Sequence, residues 1–298
     1  MSQIVIKDKI PTRELMASGH VACPGCGGSL AMRLVLKALG PKTMVTLPAC
    51  CWTIISGPFP QTALSVPLLH TAFETAAATA SGVRAALDMQ GDKDTTVLAW
   101  AGDGGTFDIG LQALSGAAER NEDILYVCYD NEAYMNTGIQ RSSATPWGAW
   151  TTTTPVGTPK SHPKKDIIGI LAAHRIPYAA TSTVAHPVDL IEKVQKAKAT
   201  RGTKFLHILA PCPPGWQTAD EETIELARMA VRTRVFPLLE VEHGERWRLT
   251  ADHPGDPVEP YIRRQGRFRH LTPEQIRFIQ AEVDARWEML MRRVEHGT

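Results

Sequence analysis

Between Thr95 and Asn136 the sequence passes through a buried strand, a helix and a second buried strand, and each strand empties into a polar loop. Thr95 to Ala101 is a short apolar run rich in β-branched and aromatic residues that stops at Gly102-Asp103-Gly104-Gly105, a pattern that predicts a strand entering a tight turn. A helical pattern follows from about Phe107 to Glu119. Ile124 to Tyr129 then reads as another strand, ending in Asp130-Asn131-Glu132-Ala133-Tyr134-Met135-Asn136. A strand, helix and strand in so short a span form one right-handed βαβ unit, which sets both loops at the carboxyl edge of a parallel sheet, where ligands bind. The expected fold class is α/β: a mostly parallel sheet flanked by helices.

The loop chemistry narrows the ligand. Asp103 offers a carboxylate and Asn131 a side-chain carbonyl, the hard oxygen donors that Mg²⁺ or Ca²⁺ selects. The glycines let backbone N–H groups approach a phosphate, and the helix start adds its partial positive charge. Together they describe a metal-bridged diphosphate site. Gly102-Asp103-Gly104 followed by Asn131 resembles the GDG…N signature of thiamine diphosphate enzymes. The resemblance implies that Asp103, the Asn131 side chain and the Ala133 carbonyl hold Mg²⁺, that Gly102, Gly104 and Gly105 line the phosphates, and that Tyr134 and Asn136 face the cofactor, Asn136 at the reacting centre.

Composition excludes several classes. The chain has 298 residues, 43% hydrophobic and 21% charged, with a formal net charge of +1. That balance offers no field for nucleic acid, and no run of about 18 apolar residues argues for a membrane span. The opening MSQIVIKDKIPT is charged and lacks the apolar core of a signal peptide, so a cytoplasmic location is expected. There the six cysteines are expected to be thiols or metal ligands rather than disulfides.

Cys23-Pro24-Gly25-Cys26-Gly27-Gly28 is a tight CxxC loop opening a helix, Ser29 to Leu39. Such a pair suits a redox couple, half of a zinc site, or two ligands of an iron–sulfur cluster. A zinc ribbon would repeat the pair about 15 to 20 residues on, and no second CxxC is present. Cys50-Cys51 instead follows a short strand, Thr43 to Leu47, and Cys212 lies far off in Ala210-Pro211-Cys212-Pro213-Pro214-Gly215. Cys128, inside a strand, reads as a small buried hydrophobe.

CPGCGG, PACCWTIISGPFP, HTAFETAAATASGVRAAL, the GDG…N stretch running on to YDNEAYMNTGIQRSSATPWGAWTTTTPVG, and APCPPGW together resemble the β subunit of pyruvate and related 2-oxoacid:ferredoxin oxidoreductases, over roughly residues 15 to 270. The resemblance implies one [4Fe–4S] cluster held by Cys23, Cys26, Cys51 and Cys212, Cys51 being favoured over Cys50 by the family's register. Gly28 stands where some relatives carry a cofactor-touching Glu, so its contact would be through the backbone. The activity implied is oxidative decarboxylation of a 2-oxoacid to acyl-CoA and CO₂, with electrons passed from thiamine diphosphate to the cluster. Pyruvate is the default substrate, with a branched-chain acid or phenylglyoxylate as variants. The partners implied are an α subunit that binds the pyrimidine and supplies an activating Glu, subunits with further Fe–S clusters, and ferredoxin or a flavin/NAD subunit as acceptor. Two other readings stay open: a non-redox thiamine diphosphate decarboxylase or synthase, and a zinc-binding scaffold.

Residues 1–215 are expected to form the diphosphate- and cluster-binding domain, and 216–298 a C-terminal extension for partner contacts. His70 to Glu74 is expected to begin a helix of small residues running from Ala76 to Ala86. Arg141 to Lys165 keeps no helix or strand period and reads as a long loop, equally suited to a lid or a surface excursion. Helices are expected at Asp166 to Ala173, Val188 to Lys198 and Glu221 to Arg232, and a strand at Phe205 to Leu209. The expected hairpin spans Phe236 to Thr250 through His243-Gly244. The final helix, Thr272 to Val294, opens with Thr272 as N-cap and Pro273 at its first position.

Overall fold

In the computed structural model, which describes residues 9–296, the βαβ unit forms the middle of an eight-stranded sheet of order β2-β1-β3-β4-β6-β5-β7-β8. In chain order the elements are α1 (Gly27–Leu39), β1 (Thr43–Pro48), α2 (Cys51–Ile55), β2 (Leu68–Thr71), α3 (Ala76–Met89), β3 (Thr96–Gly102), α4 (Leu111–Glu119) and β4 (Leu125–Asp130). They continue with α5 (Ile167–Ala173), β5 (Tyr178–Thr183), α6 (Pro187–Ala199), β6 (Lys204–Leu209), α7 (Pro213–Trp216) and α8 (Thr223–Arg232). The chain closes with β7 (Leu239–Glu242), β8 (Arg246–Leu249), α9 (Val258–Arg263) and α10 (Pro273–His296). Strands β1 to β6 are parallel, while β7 and β8 add antiparallel, so residues beyond 215 extend the same sheet.

The period-two alternation of a sheet covered on both faces explains the core. Leu125, Val127 and Tyr129 of β4 pack toward α1 and α6, whereas Tyr126 and Cys128 pack toward α3, α4 and α5. Cys128 is wholly buried there, as its reading as a small hydrophobe requires. A third apolar cluster, built on Trp216, Leu226, Phe236, Tyr261, Phe268 and Val283, joins the C-terminal helices to the end of β6.

Several elements differ from expectation. The helix expected from Phe107 starts earlier, as a π-helix over Gly104–Ile109, before α4 begins. His70 and Thr71 belong to edge strand β2 rather than a helix start, and α3 begins only at Ala76. β5, the sequence YAATST, had no expected counterpart although every residue in it is buried. The β7–β8 hairpin turns through His243 and Gly244, both at positive φ (53° and 73°), which matches the expected turn. Thr272 Oγ1 accepts the Gln275 N–H at 3.3 Å while Gln275 Oε1 accepts the Thr272 N–H at 2.9 Å, so Thr272 caps α10.

Candidate cofactor and metal site

Strands β1, β3, β4 and β6 are consecutive neighbours in the sheet, and their carboxyl ends run into Cys50-Cys51, Gly102-Asp103, Asp130-Asn131 and Cys212. Two cavities open at that edge. One, of about 130 Å³, is lined by Gly102, Asp103, Gly104, Gly105, Ala133 and Tyr134; the other, of about 360 Å³, by Cys23, Cys26, Gly28 and Cys212. Cys51, Tyr129, Asn131, Met135 and Asn136 line both and form the wall between them. Asn136 is exposed on this shared rim. Gly28 lies on the thiol side, against the Tyr129 ring, and its carbonyl accepts the Trp52 indole N–H at 3.3 Å.

At the smaller cavity three oxygens converge. The Asn131 side-chain oxygen stands 2.9 Å from Asp103 Oδ1 and 3.0 Å from the Ala133 carbonyl oxygen, with no hydrogen between them. Turning the amide over would put its NH₂ at that point, donating to both. With its oxygen at that point, the amide shares one focus with the carboxylate and the carbonyl, a set of three oxygens that would suit a divalent cation. Asp103 is 1% exposed and accepts the Ser142 hydroxyl. Burial, and then the charge of Asp130, push its carboxyl well above the ordinary range, against the Ser142 hydrogen bond and the charge of Lys164, which pull it down. The donor set fits Mg²⁺. The turn beyond it opens as a π-helix, a form common at functional sites.

The thiol cavity is assembled by close backbone approaches. Gly25 has φ +68°, and a Cβ there would stand 2.3 Å from the Asp220 carbonyl oxygen. Gly27 donates its N–H to the Pro211 carbonyl at 3.0 Å, which lays the CxxC loop over the end of β6 beside Cys212. Cys50 caps α2: its sulfur accepts the Thr53 N–H, and its own N–H donates to Thr53 Oγ1 at 3.1 Å. Cys50 lines the Asp103 cavity, and of the adjacent pair it is Cys51 that also lines the thiol cavity. Burial, then the neighbouring Cys50, Cys212 and Cys26 sulfurs, push the Cys51 thiol up to about 12. Cys212 is pushed up to about 12 by burial and by Cys26 and Cys23. Cys23, Cys26, Cys51 and Cys212 all line this one cavity. Among the described residues no three His, Cys, Asp or Glu side chains close around a single ion. A ring of thiols about a larger space fits a cluster, in which the thiolates ligate different irons.

Sequence reading missed much of what holds this edge. Residues 141–151 pack inward, while 155–159 and 161–163 are exposed: Thr145 Oγ1 donates to the Glu132 carbonyl at 2.7 Å, and the Ser143 N–H donates to Asp108 Oδ2 at 3.0 Å. Tyr134 donates its hydroxyl to the same Asp108 oxygen at 2.8 Å, and Phe73 lines the Asp103 cavity. The Trp216 indole donates to the Asn131 carbonyl at 2.9 Å. None of these partners sits at a spacing that a local pattern would reveal.

Residues 50–208 match the family described as the thiamine pyrophosphate enzyme, C-terminal TPP-binding domain. Ketoisovalerate oxidoreductase subunit VorB of Pyrococcus abyssi is 51% identical over 298 residues, covering 96% of this chain and 95% of that protein. Pyruvate synthase subunit PorB of Methanothermobacter thermautotrophicus is 50% identical over 281 residues, covering 93% of this chain and 97% of that one. In fold, the chain is similar to a 2-oxoglutarate:ferredoxin oxidoreductase structure from Magnetococcus marinus, with a TM-score of 0.59 and 22% identity over 74% of this chain and 80% of the other. Among the described residues no helix is long and apolar enough to cross a membrane. Near-full-length kinship to such subunits, together with the matched thiamine pyrophosphate domain, shows that the chain belongs to the family of thiamine-diphosphate-binding β subunits of 2-oxoacid:ferredoxin oxidoreductases.

Proposed function

We propose that this chain carries the thiamine diphosphate, Mg²⁺ and [4Fe–4S] centre of a cytoplasmic enzyme that oxidatively decarboxylates pyruvate or 2-ketoisovalerate to acyl-CoA and CO₂. The observation that carries the reading is the shared wall: Cys51, Tyr129, Asn131, Met135 and Asn136 separate an oxygen-lined cavity from a thiol-lined one. When bound, thiamine diphosphate supplies a nucleophilic carbon and an electron sink, and the cluster takes electrons singly.

The chain's own residues have distinct tasks. Asp103, the Asn131 amide oxygen and the Ala133 carbonyl hold Mg²⁺, whose charge offsets the buried Asp103 carboxylate. Gly102, Gly104 and Gly105 bring backbone N–H groups to the diphosphate, and Tyr134 covers that turn. Cys23, Cys26, Cys51 and Cys212 hold the iron, while Gly28 keeps the CxxC helix against Tyr129. Asn136, on the rim, orients the reacting group. Residues 1–215 carry these sites. Residues 216–298 supply contacts to an α subunit and to subunits with further clusters, from which ferredoxin or a flavin/NAD subunit takes the electrons.

Co-expression with its partner subunits, anaerobic purification and assay with a panel of 2-oxoacids plus CoA test the reading. The expected complex contains about four irons per copy of this chain for its one cubane, over and above those of the further-cluster subunits, and its iron signal is reduced by pyruvate or 2-ketoisovalerate. A complex containing zinc instead, or one that decarboxylates without reducing iron, would remove the proposal.

A further inference from the structure

We infer that Arg267, in the C-terminal segment, is a positioning residue for the Mg²⁺ loop and acts through Glu132; the inference rests on the metal site proposed above. Glu132 lies between two of the three oxygen donors, Asn131 and Ala133. It is 3% exposed and has φ +68°, a left-handed conformation that a residue with a Cβ keeps only when its surroundings impose it.

Its surroundings do impose it. The Glu132 N–H donates to Asp130 Oδ1 at 2.9 Å, and its carbonyl accepts Thr145 Oγ1 at 2.7 Å. Its carboxylate accepts Lys164 Nζ at 2.9 Å and an Arg267 guanidinium N–H at 2.5 Å. Arg267 is itself 2% exposed, bonded to Gln265 Oε1 at 2.7 and 3.0 Å, with its guanidinium carbon 4.0 Å from the centre of the Trp216 ring. That same indole donates to the Asn131 carbonyl. Arg267 and the ring beneath it therefore grip the loop at two successive residues, one by carboxylate and one by carbonyl.

Charge makes the arrangement cooperative. Lys164 also pairs with Asp130, which His207 Nε2 contacts at 2.6 Å, so without Arg267 the one ammonium paired with Glu132 would be shared with a second buried carboxylate. An uncompensated buried carboxylate favours leaving the protein interior for water. Glu132 could do so only by leaving its left-handed position, and that displaces Asn131 and Ala133 together.

The test uses the assembled complex and three variants: Arg267→Leu, Arg267→Lys and Glu132→Gln. The Mg²⁺ concentration that half-saturates thiamine diphosphate binding is measured by titration calorimetry, and hydrogen exchange is followed at the amides of residues 131–136. Arg267→Leu is expected to raise the Mg²⁺ requirement about 10- to 100-fold, the range typical of lost outer-shell partners, with iron content unchanged and faster exchange in the loop. Arg267→Lys recovers only part, because an ammonium lacks the fork that serves Glu132 and Gln265 together. Combining Arg267→Leu with Glu132→Gln adds little to either alone. A folded Arg267→Leu complex with wild-type Mg²⁺ requirement and exchange would overturn the inference, as would additive effects in the double variant. Should Arg267→Leu fail to fold, Glu132→Gln, which keeps the side-chain shape, decides alone: an unchanged requirement overturns it. A wild-type complex that binds thiamine diphosphate indifferently to Mg²⁺ would remove the metal site itself, and Arg267's role with it.

Discussion

The backbone N–H of Gly27 donates to the carbonyl oxygen of Pro211 at 3.0 Å, so the chain beside Cys26 is tied to the chain beside Cys212 by a main-chain bond. A Cβ on residue 27 would lie 2.8 Å from both Ala210 C and Pro211 O, all backbone atoms with nowhere to retreat. Gly27→Ala is therefore expected to cost about 1–3 kcal/mol through overpacking and to separate the first two thiols from the last. Iron bound per chain after anaerobic reconstitution should drop well below wild type, alongside a lower melting temperature. Full iron with an unchanged melting temperature would show that the two segments are not held in this register.

The adjacent cysteines are expected to respond oppositely to the same change. Cys50 is occupied as the cap of α2, a role in which Ser is among the best residues. Cys51 lines the thiol cavity. Cys50→Ser should keep the brown colour, iron and sulfide of the wild type, while Cys51→Ser should lose them. The reverse pattern would reassign the ligand.

What could be read beforehand divides along physical lines. Asp103, Asn131 and the CxxC pair are legible because each is a short-range signal: a run of apolar residues ending in a turn, or two sulfurs one turn apart. β5 escaped because Ala179, Ala180, Thr181 and Ser182 are small or polar, and only tertiary packing buries them. The π-helix at Gly104–Ile109 covers what reads as the end of a tight turn and, from Phe107, the start of an ordinary helix, since neither local composition nor the 3.6-residue period marks a wider turn. Glu132, Lys164 and Arg267 carry no local signal in sequence that pairs them. They are partners only because the C-terminal segment folds back over the end of β6, and a pairing of such separation leaves no local trace.

Stability should depend on pH through His253. Its Nε2 accepts the Leu238 N–H at 2.8 Å, and Arg234 and the Trp287 ring, 5.3 Å away, face it. Burial pushes the imidazole from 6.5 down to about 4. Between those values the unfolded chain binds a proton that the folded chain refuses, so stability falls as pH drops from 6.5 to about 4 and is flat in this group below that. Glu240 titrates lower: burial raises its carboxyl, but Lys196 and Arg248 outweigh burial and hold it down to about 2, so its contribution is lost only under more acid conditions. The expected result is a shallower decline of melting temperature between pH 6.5 and 4 in His253→Gln, whose amide oxygen can still accept from Leu238. His186 and His207, also pushed down by burial, contribute to both proteins alike and cancel in the comparison. Parallel melting curves for the two would exclude His253 as a source of the dependence.

Gly104 owes its identity to a side chain rather than to its own backbone angles. A Cβ there would meet Tyr134 Cε1 at 2.2 Å and Cδ1 at 2.4 Å, because the phenol lies across the turn with its hydroxyl donating to Asp108 and its ring edge-on to Phe73. Gly104→Ala must therefore displace the ring, break the Asp108 bond and disturb the loop bearing Ala133. The single variant is expected to lose about 1–3 kcal/mol, the usual range for overpacking, and to bind thiamine diphosphate more weakly. Removing the obstacle should restore room: in Gly104→Ala/Tyr134→Ala the added methyl has a cavity to occupy. The double variant should then be more stable than the sum of the two single losses predicts, by roughly 0.5–3 kcal/mol, the coupling typical of residues in contact. Strict additivity in denaturant midpoints would mean that the ring yields freely, and that Gly104 is required by the approach of the diphosphate to the backbone alone.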